Sequence, residues 1–180
     1  GFCARNEKEI GEVVTALSGP GRNVIGGVVD VTDGGRLRSW ITETAIALGG
    51  LDILIPSVSA LVAGASEGAW RHGLEVDVLG TVHAVEAAMP FLKKSKTASI
   101  VAISSTAAIN ISGGVRAYSG LKAAIINYLS ALSTNLASKG IRANTVSPSA
   151  IFFKGGIWDT RKRENPDVYA AAVKRSPMGR

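Results

Sequence analysis

Ser99-Ile100-Val101-Ala102-Ile103-Ser104-Ser105 is a short apolar run closed by serines. Its length and β-branched content predict a strand. The segment from about Val115 to Ser138 carries Leu121, Ile125, Leu129, Leu132 and Leu136 at helical spacing, and Gly140 stops it. Ile141 to Ser147 is a second apolar run. Strand, helix and strand in this order make a right-handed crossover between parallel strands. Val24-Ile25-Gly26-Gly27-Val28-Val29 and Leu51-Asp52-Ile53-Leu54-Ile55 are runs of the same kind. They lack strict polar alternation, which suits strands covered on both faces.

Helical patterns fill the intervals. Asn6 predicts an N-cap before Glu7 to Leu17, and Gly19-Pro20-Gly21 ends that helix. Leu37 to Leu48 is a second, ended by Gly49-Gly50. A third runs from about Ser66 to Leu92, with an apolar stripe of Trp70, Leu74, Val78, Val82, Val85 and Met89. Asp159 to Lys174 is amphipathic, and Asn165-Pro166 divides it into two short helices. The alternation implies an α/β, Rossmann-type doubly wound parallel sheet in three layers, α/β/α. No repeat or linker interrupts it, so residues 1–180 read as a single domain.

Composition narrows the class. The chain is 46% apolar and 19% charged, which excludes a disordered chain. Aromatics make up only 6%, so Ala, Val, Ile and Leu must build the core. Cys3 is the one cysteine. It permits no internal disulfide or cysteine metal cluster and fits a reducing compartment such as the cytoplasm. No apolar run reaches about 18 residues, so no membrane span is expected, and no signal peptide is expected either. The net charge is +6, with seven basic and three acidic residues in 151–180. That suits a basic surface, an anionic cofactor or an acidic protein partner; no nucleic-acid motif accompanies it. The chain opens at Gly1 without an initiator Met. It closes on Ser176-Pro177-Met178-Gly179-Arg180, which reads as mid-loop, so an internal piece of a longer chain is expected.

Three residues carry chemistry. Ser105 closes its strand, Tyr118 lies near the start of the next helix, and Lys122 shares a face with it as an i, i+4 pair. Ligands of α/β folds sit in the crevice at the carboxyl ends of the strands, where Ser105 is expected. A phenol has an ordinary pKa of about 10 and is a poor base at neutral pH. Lowering it by about three units takes roughly 4 kcal/mol. One cation about 4 Å away supplies that order at an effective dielectric of about 20. Lys122 would make Tyr118 a general acid/base, and Ser105 would donate to a developing alkoxide. A tyrosine that protonates a carbonyl oxygen suits hydride transfer from a nicotinamide cofactor. His72 and His83 lack partners at metal-ligand spacing, so no metal is expected.

With these residues in place the chain resembles the short-chain dehydrogenase/reductase family. The matching pieces, in order, are Cys3-Ala4-Arg5-Asn6, Asp30-Val31-Thr32-Asp33, Leu51-Asp52-Ile53-Leu54-Ile55 and Val76-Asp77-Val78-Leu79-Gly80-Thr81. Ile103-Ser104-Ser105, Tyr118-Ser119-Gly120-Leu121-Lys122 and Arg142-Ala143-Asn144-Thr145-Val146-Ser147-Pro148 follow. The resemblance covers essentially the whole chain. It implies Tyr118 as proton donor or acceptor, Lys122 as the group that tunes it and holds the nicotinamide ribose, and Ser105 as the group that orients the substrate carbonyl. Asp77 stands at the fourth catalytic position, usually Asn; ionised, it accepts hydrogen bonds but cannot donate. Asp30 and Val31 would line the adenine pocket, and Pro148 and Ile151 would border the nicotinamide. Ser57, Val58 and Ser59 replace the usual Asn-Ala-Gly of the cofactor loop, and segment 152–176 would be the substrate lid. Ala4 stands where relatives that prefer NAD usually carry an acid, with Arg5 and Asn6 next. Arg5 suits a 2′-phosphate, so NADP is expected ahead of NAD.

The family's Gly-rich phosphate loop, its first strand and its closing strand have no counterpart here, so the resemblance implies an incomplete sheet lacking a central strand. The expected activity is NADP-dependent hydride transfer to a ketone or 3-oxoacyl (acyl-carrier-protein) substrate. The apolar Phe152, Phe153, Ile157 and Trp158 favour it, and Arg161, Lys162 and Arg163 suit an acidic carrier. A sugar or polyol dehydrogenase and a non-catalytic dinucleotide-binding protein are the alternatives. A homodimer or homotetramer of the full-length protein, through the two long helices, is also implied.

Overall fold

A computed structural model describes residues 1–110 and 114–176. The loop expected at the end lies, from Pro177 to Arg180, outside the described residues. The chain forms two compact units, Gly1–Ser147 and Pro148–Arg180. The first contains β1 (Phe2–Ala4), α1 (Glu7–Leu17), β2 (Gly26–Val28), α2 (Gly34–Ala47), β3 (Ile53–Leu54), α3 (Glu67–Gly73), α4 (Gly80–Leu92), β4 (Ser99–Ile103), α5 (Ala117–Leu136) and β5 (Arg142–Val146). The second contains α6 (Ile157–Glu164) and α7 (Pro166–Arg175).

Helix ends follow their caps. Asn6 accepts from the N–H groups of Lys8 and Glu9 at 3.1 and 3.3 Å and donates its own amide to Glu9 at 2.9 Å. That reciprocal cap starts α1 at Glu7, as the sequence predicts. Helix α2 starts three residues before the predicted Leu37. Asp33 caps it through the Arg36 N–H at 2.9 Å, and the apolar pattern is silent over Gly34-Gly35.

Every strand pair is parallel. β4 is central to a three-stranded sheet, β3-β4-β5, and runs in register with β5 from Ser99↔Arg142 to Ile103↔Val146. β1 and β2 form a separate pair. Among the described residues no ladder joins β1 to β3, the place where the resemblance puts a further strand. The doubly wound layering shows at β2. A Cβ on Gly26 would lie 2.5 Å from Ile10 of α1, and one on Gly27 would lie 2.0 Å from Trp40 of α2. The strand therefore passes between helices that both approach its backbone closely.

The core lies between β4, β5 and the inner faces of α4 and α5, where Leu92, Ile100, Ile125, Leu129 and Ile141 are sealed from solvent. Each such side chain contributes about 1.5–3 kcal/mol by leaving water. Leu121, Ile125, Leu129 and Leu136 face inward as expected, and Leu132 is half-buried against the same core.

The predicted helix from Ser66 to Leu92 needs correction. Ser66 caps it through the Ala69 N–H at 3.2 Å, but Leu74–Leu79 is a π-helical turn between α3 and α4. The wide turn shifts the buried face by an extra residue. Trp70 and Leu74, expected inward, are 40% and 43% exposed. Gly73, Val76, Asp77, Gly80 and Thr81 take the buried positions, and Val85 stays inside.

In the second unit α6 and α7 pack together. Pro166 sits at the first turn of α7, where its missing N–H costs no hydrogen bond, and this divides the amphipathic segment as predicted. Phe152 and Tyr169 meet edge to face at 5.9 Å. The Lys162 ammonium lies 5.2 and 5.4 Å from their ring centres, and Arg161 stacks at 4.7 Å on Trp158.

Candidate active site

β4 delivers Ser104 and Ser105 to its carboxyl end, and α5 delivers Tyr118 and Lys122 to the same place. Two bonds fasten them. The Ser104 hydroxyl donates to the Lys122 carbonyl at 2.8 Å, and the Lys122 ammonium donates to the Ile103 carbonyl at 3.1 Å. Lys122 is 3% exposed, and its ammonium lies 5.8 Å from the centre of the Tyr118 ring. Ser105 Oγ accepts from the Ala107 N–H at 3.2 Å, which fixes the hydroxyl at the strand end.

The ammonium is not alone. Asp77, 2% exposed on the π-helical turn, pairs with Lys122 at 2.9 Å. The same carboxylate accepts from the Ser59 hydroxyl at 2.6 Å and from the Ala60 N–H at 2.9 Å. The sequence argument set an unaccompanied cation beside the phenol; in the structure a carboxylate balances its charge. An Asp and a Lys separated by 45 positions leave no periodic signal, so only the complementary charge at the usual Asn position hinted at the pair.

A crevice of about 440 Å³ opens at the carboxyl ends of β1 and β2. Arg5, Asn6, Asp30, Val31, Val58 and Ser59, all singled out in the sequence, line it. Ser57 does not. Glu9, Ala60, His72 and Val76, which sequence reasoning missed, line it too. The Thr32 N–H and hydroxyl hold the Asp30 carboxyl below its ordinary pKa, and Arg5 and His72 add to this. Ser59 joins the crevice to the Asp77–Lys122 pair, since its hydroxyl reaches Asp77 from the crevice wall. Pro148 and Ile151 open the second unit, Pro148 half-buried and Ile151 exposed. His83 Nδ1 is buried beside Gly34 without a hydrogen-bond partner among the described residues. No group of three His, Cys, Asp or Glu among the described residues is placed to hold a metal. No helix among them is long and apolar enough to cross a membrane.

The residues fit a dinucleotide. The crevice pairs a guanidinium and a capped helix N-terminus with an acceptor carboxylate, and leads by Ser59 to a buried lysine beside a tyrosine.

Comparison with known proteins agrees with this geometry. The family model described as short chain dehydrogenase matches residues 1–156. Isoepoxydon dehydrogenase patN of Penicillium expansum is 32% identical over 183 residues, covering 99% of this chain and 71% of the relative. A short chain dehydrogenase/reductase family oxidoreductase of Burkholderia thailandensis is 27% identical. It superposes with a TM-score of 0.79 over 99% of this chain and 68% of that one. An NADPH-bound short chain oxidoreductase of Pseudomonas aeruginosa PAO1, described as containing an atypical catalytic center, is 24% identical. It shares the fold at a TM-score of 0.87 over 99% of this chain and 72% of that one. The parallel α/β architecture, the family match and these relatives together make the chain a member of the short-chain dehydrogenase family, an NAD(P)-dependent oxidoreductase.

Proposed function

We propose that the chain transfers hydride between NADP and a carbonyl or secondary alcohol, with a ketone or 3-oxoacyl compound as the first substrate class. The observation that carries this reading is Lys122, fixed by Ile103 and Asp77 within 5.8 Å of the Tyr118 ring at the end of β4. A bound nicotinamide supplies the hydride in reduction and accepts it in oxidation. Tyr118 gives its hydroxyl proton to the substrate oxygen in reduction and takes it back in oxidation. Ser105 donates a hydrogen bond to that oxygen as negative charge develops. Lys122 holds the ribose hydroxyls. Ser105→Ala lowers kcat by about 10²–10³-fold, the usual cost of one such donor, and steady-state kinetics measures it.

Arg5, on the crevice beside the Asn6-capped start of α1, supports NADP. A guanidinium matches a 2′-phosphate by paired, charge-assisted hydrogen bonds. Asp30 and Val31 take the adenine edge, and Val58 and Ser59 line the path to the nicotinamide. Fluorescence titration tests the preference. Arg5→Ala weakens NADPH binding by about 10–100-fold, the worth of hydrogen bonds to a charged group. NADH binding stays within about threefold. Equal weakening of both cofactors refutes the preference.

The exposed Phe152, Phe153 and Ile157 support an apolar acyl substrate, and Arg161, Lys162 and Arg163 support an acidic carrier. A sugar or polyol dehydrogenase of the same family is the second reading. Rates measured in both directions on the two substrate classes separate them. Assembly as a homodimer or homotetramer through α4 and α5, in the cytoplasm, completes the proposal.

A further inference from the structure

We propose that Asp77 is a positioning residue that acts on Tyr118 through Lys122; the inference rests on the reading of Tyr118 as the proton donor. Lysine has three N–H donors. Asp77 takes one at 2.9 Å and the Ile103 carbonyl takes another at 3.1 Å, and the third is left for a ligand or for a partner outside these two. The side chains of Lys122 and Asp77 are 4% and 2% exposed, so little solvent screens the pair. Tyr118 therefore works beside a neutral ion pair of fixed geometry rather than beside a lone cation.

The carboxylate also has a second task. Its two oxygens accept from the Ser59 hydroxyl at 2.6 Å and from the Ala60 N–H at 2.9 Å. Both residues line the crevice. One group thus sets the crevice wall and the lysine height together. Its own backbone is anchored by the Thr81 hydroxyl, which donates to the Asp77 carbonyl at 2.7 Å. An Asn here could keep its one acceptor oxygen on Lys122 and Ser59, but it would carry no counter-charge and would set its amide donor against the Ala60 N–H.

The test is the ultraviolet absorbance of the Tyr118 phenolate as pH rises, taken as the difference from Tyr118→Phe so that Tyr128 and Tyr169 cancel. In Asp77→Asn the ammonium loses its counter-charge, and the phenolate signal moves to lower pH by about one unit. In Asp77→Asn/Lys122→Met, neutral on both sides, it returns to within about 0.3 unit of the parent. An Asp77→Asn curve that superimposes on the parent, or moves to higher pH, overturns the proposal. So does a displacement of a unit or more in the double variant, which also serves if the single variant does not fold. The experiment needs no substrate. If the proposed function is wrong, Tyr118→Phe turns over like the parent whatever the titration shows.

Discussion

Tyr118→Phe lowers kcat by about 10³-fold or more while NADPH binds within about threefold of the parent, since a positioned general acid contributes about 10²–10⁴. The substitution removes one oxygen and leaves the ring in place. The Lys122 ammonium lies 5.8 Å from the ring centre, a contact that a phenylalanine ring preserves. Folding and cofactor binding should therefore survive and turnover should not. A non-catalytic dinucleotide-binding protein on the same fold would show no such split. Single-turnover measurement of NADPH oxidation, with Kd from fluorescence, checks both halves. A kcat within tenfold of the parent would remove Tyr118 from the chemistry.

Lys122→Ala has the second large effect, and it acts first on the fold. The substitution strips the partner from a carboxylate that is 2% exposed. Breaking a buried pair from one side costs about 3–5 kcal/mol, because the remaining charge is left uncompensated. For a chain of this size that lowers Tm by roughly 6–20 °C. The Ile103 carbonyl loses its ammonium donor as well. Asp77→Asn combined with Lys122→Ala leaves no buried charge and recovers most of the loss, as a double-mutant cycle in thermal melts would read. Additive losses would mean that the two side chains do not act as a pair.

Much of this was legible beforehand, where the signal was local. Asn6 with Glu9, and Gly19-Pro20-Gly21 beyond them, bound α1 because capping and stopping act over a few residues. The α5 face was legible because five leucines and isoleucines repeat at one period along an unbroken helix. The i, i+4 spacing of Tyr118 and Lys122 is of the same kind. The rest depended on contacts between distant segments. The π-helical turn has no periodic signature, so the stripe from Trp70 to Met89 kept one phase where the chain uses two. That misplaced Trp70 and Leu74, and it hid Val76 and His72, whose places on the crevice follow from the corrected phase. The Lys122 charge was evident in the sequence; its neutralisation was not, because Asp77 reaches it only once the turn and α5 are packed.

That turn also makes the site depend on chain length as much as on side-chain chemistry. Leu74–Leu79 closes i→i+5 bonds where an α-helix closes i→i+4, so one residue there is surplus to α-helical winding. Excising Val78 or Leu79 would let the helix relax into a single winding. Everything on its far side would then swing by about 100° relative to α4, the angle one α-helical residue occupies. Asp77 would leave Lys122, and Ser66 to Gly73 would turn a new face to their neighbours, with no functional side chain replaced. The helix thus behaves as a shaft keyed at one point, and the key is a residue count.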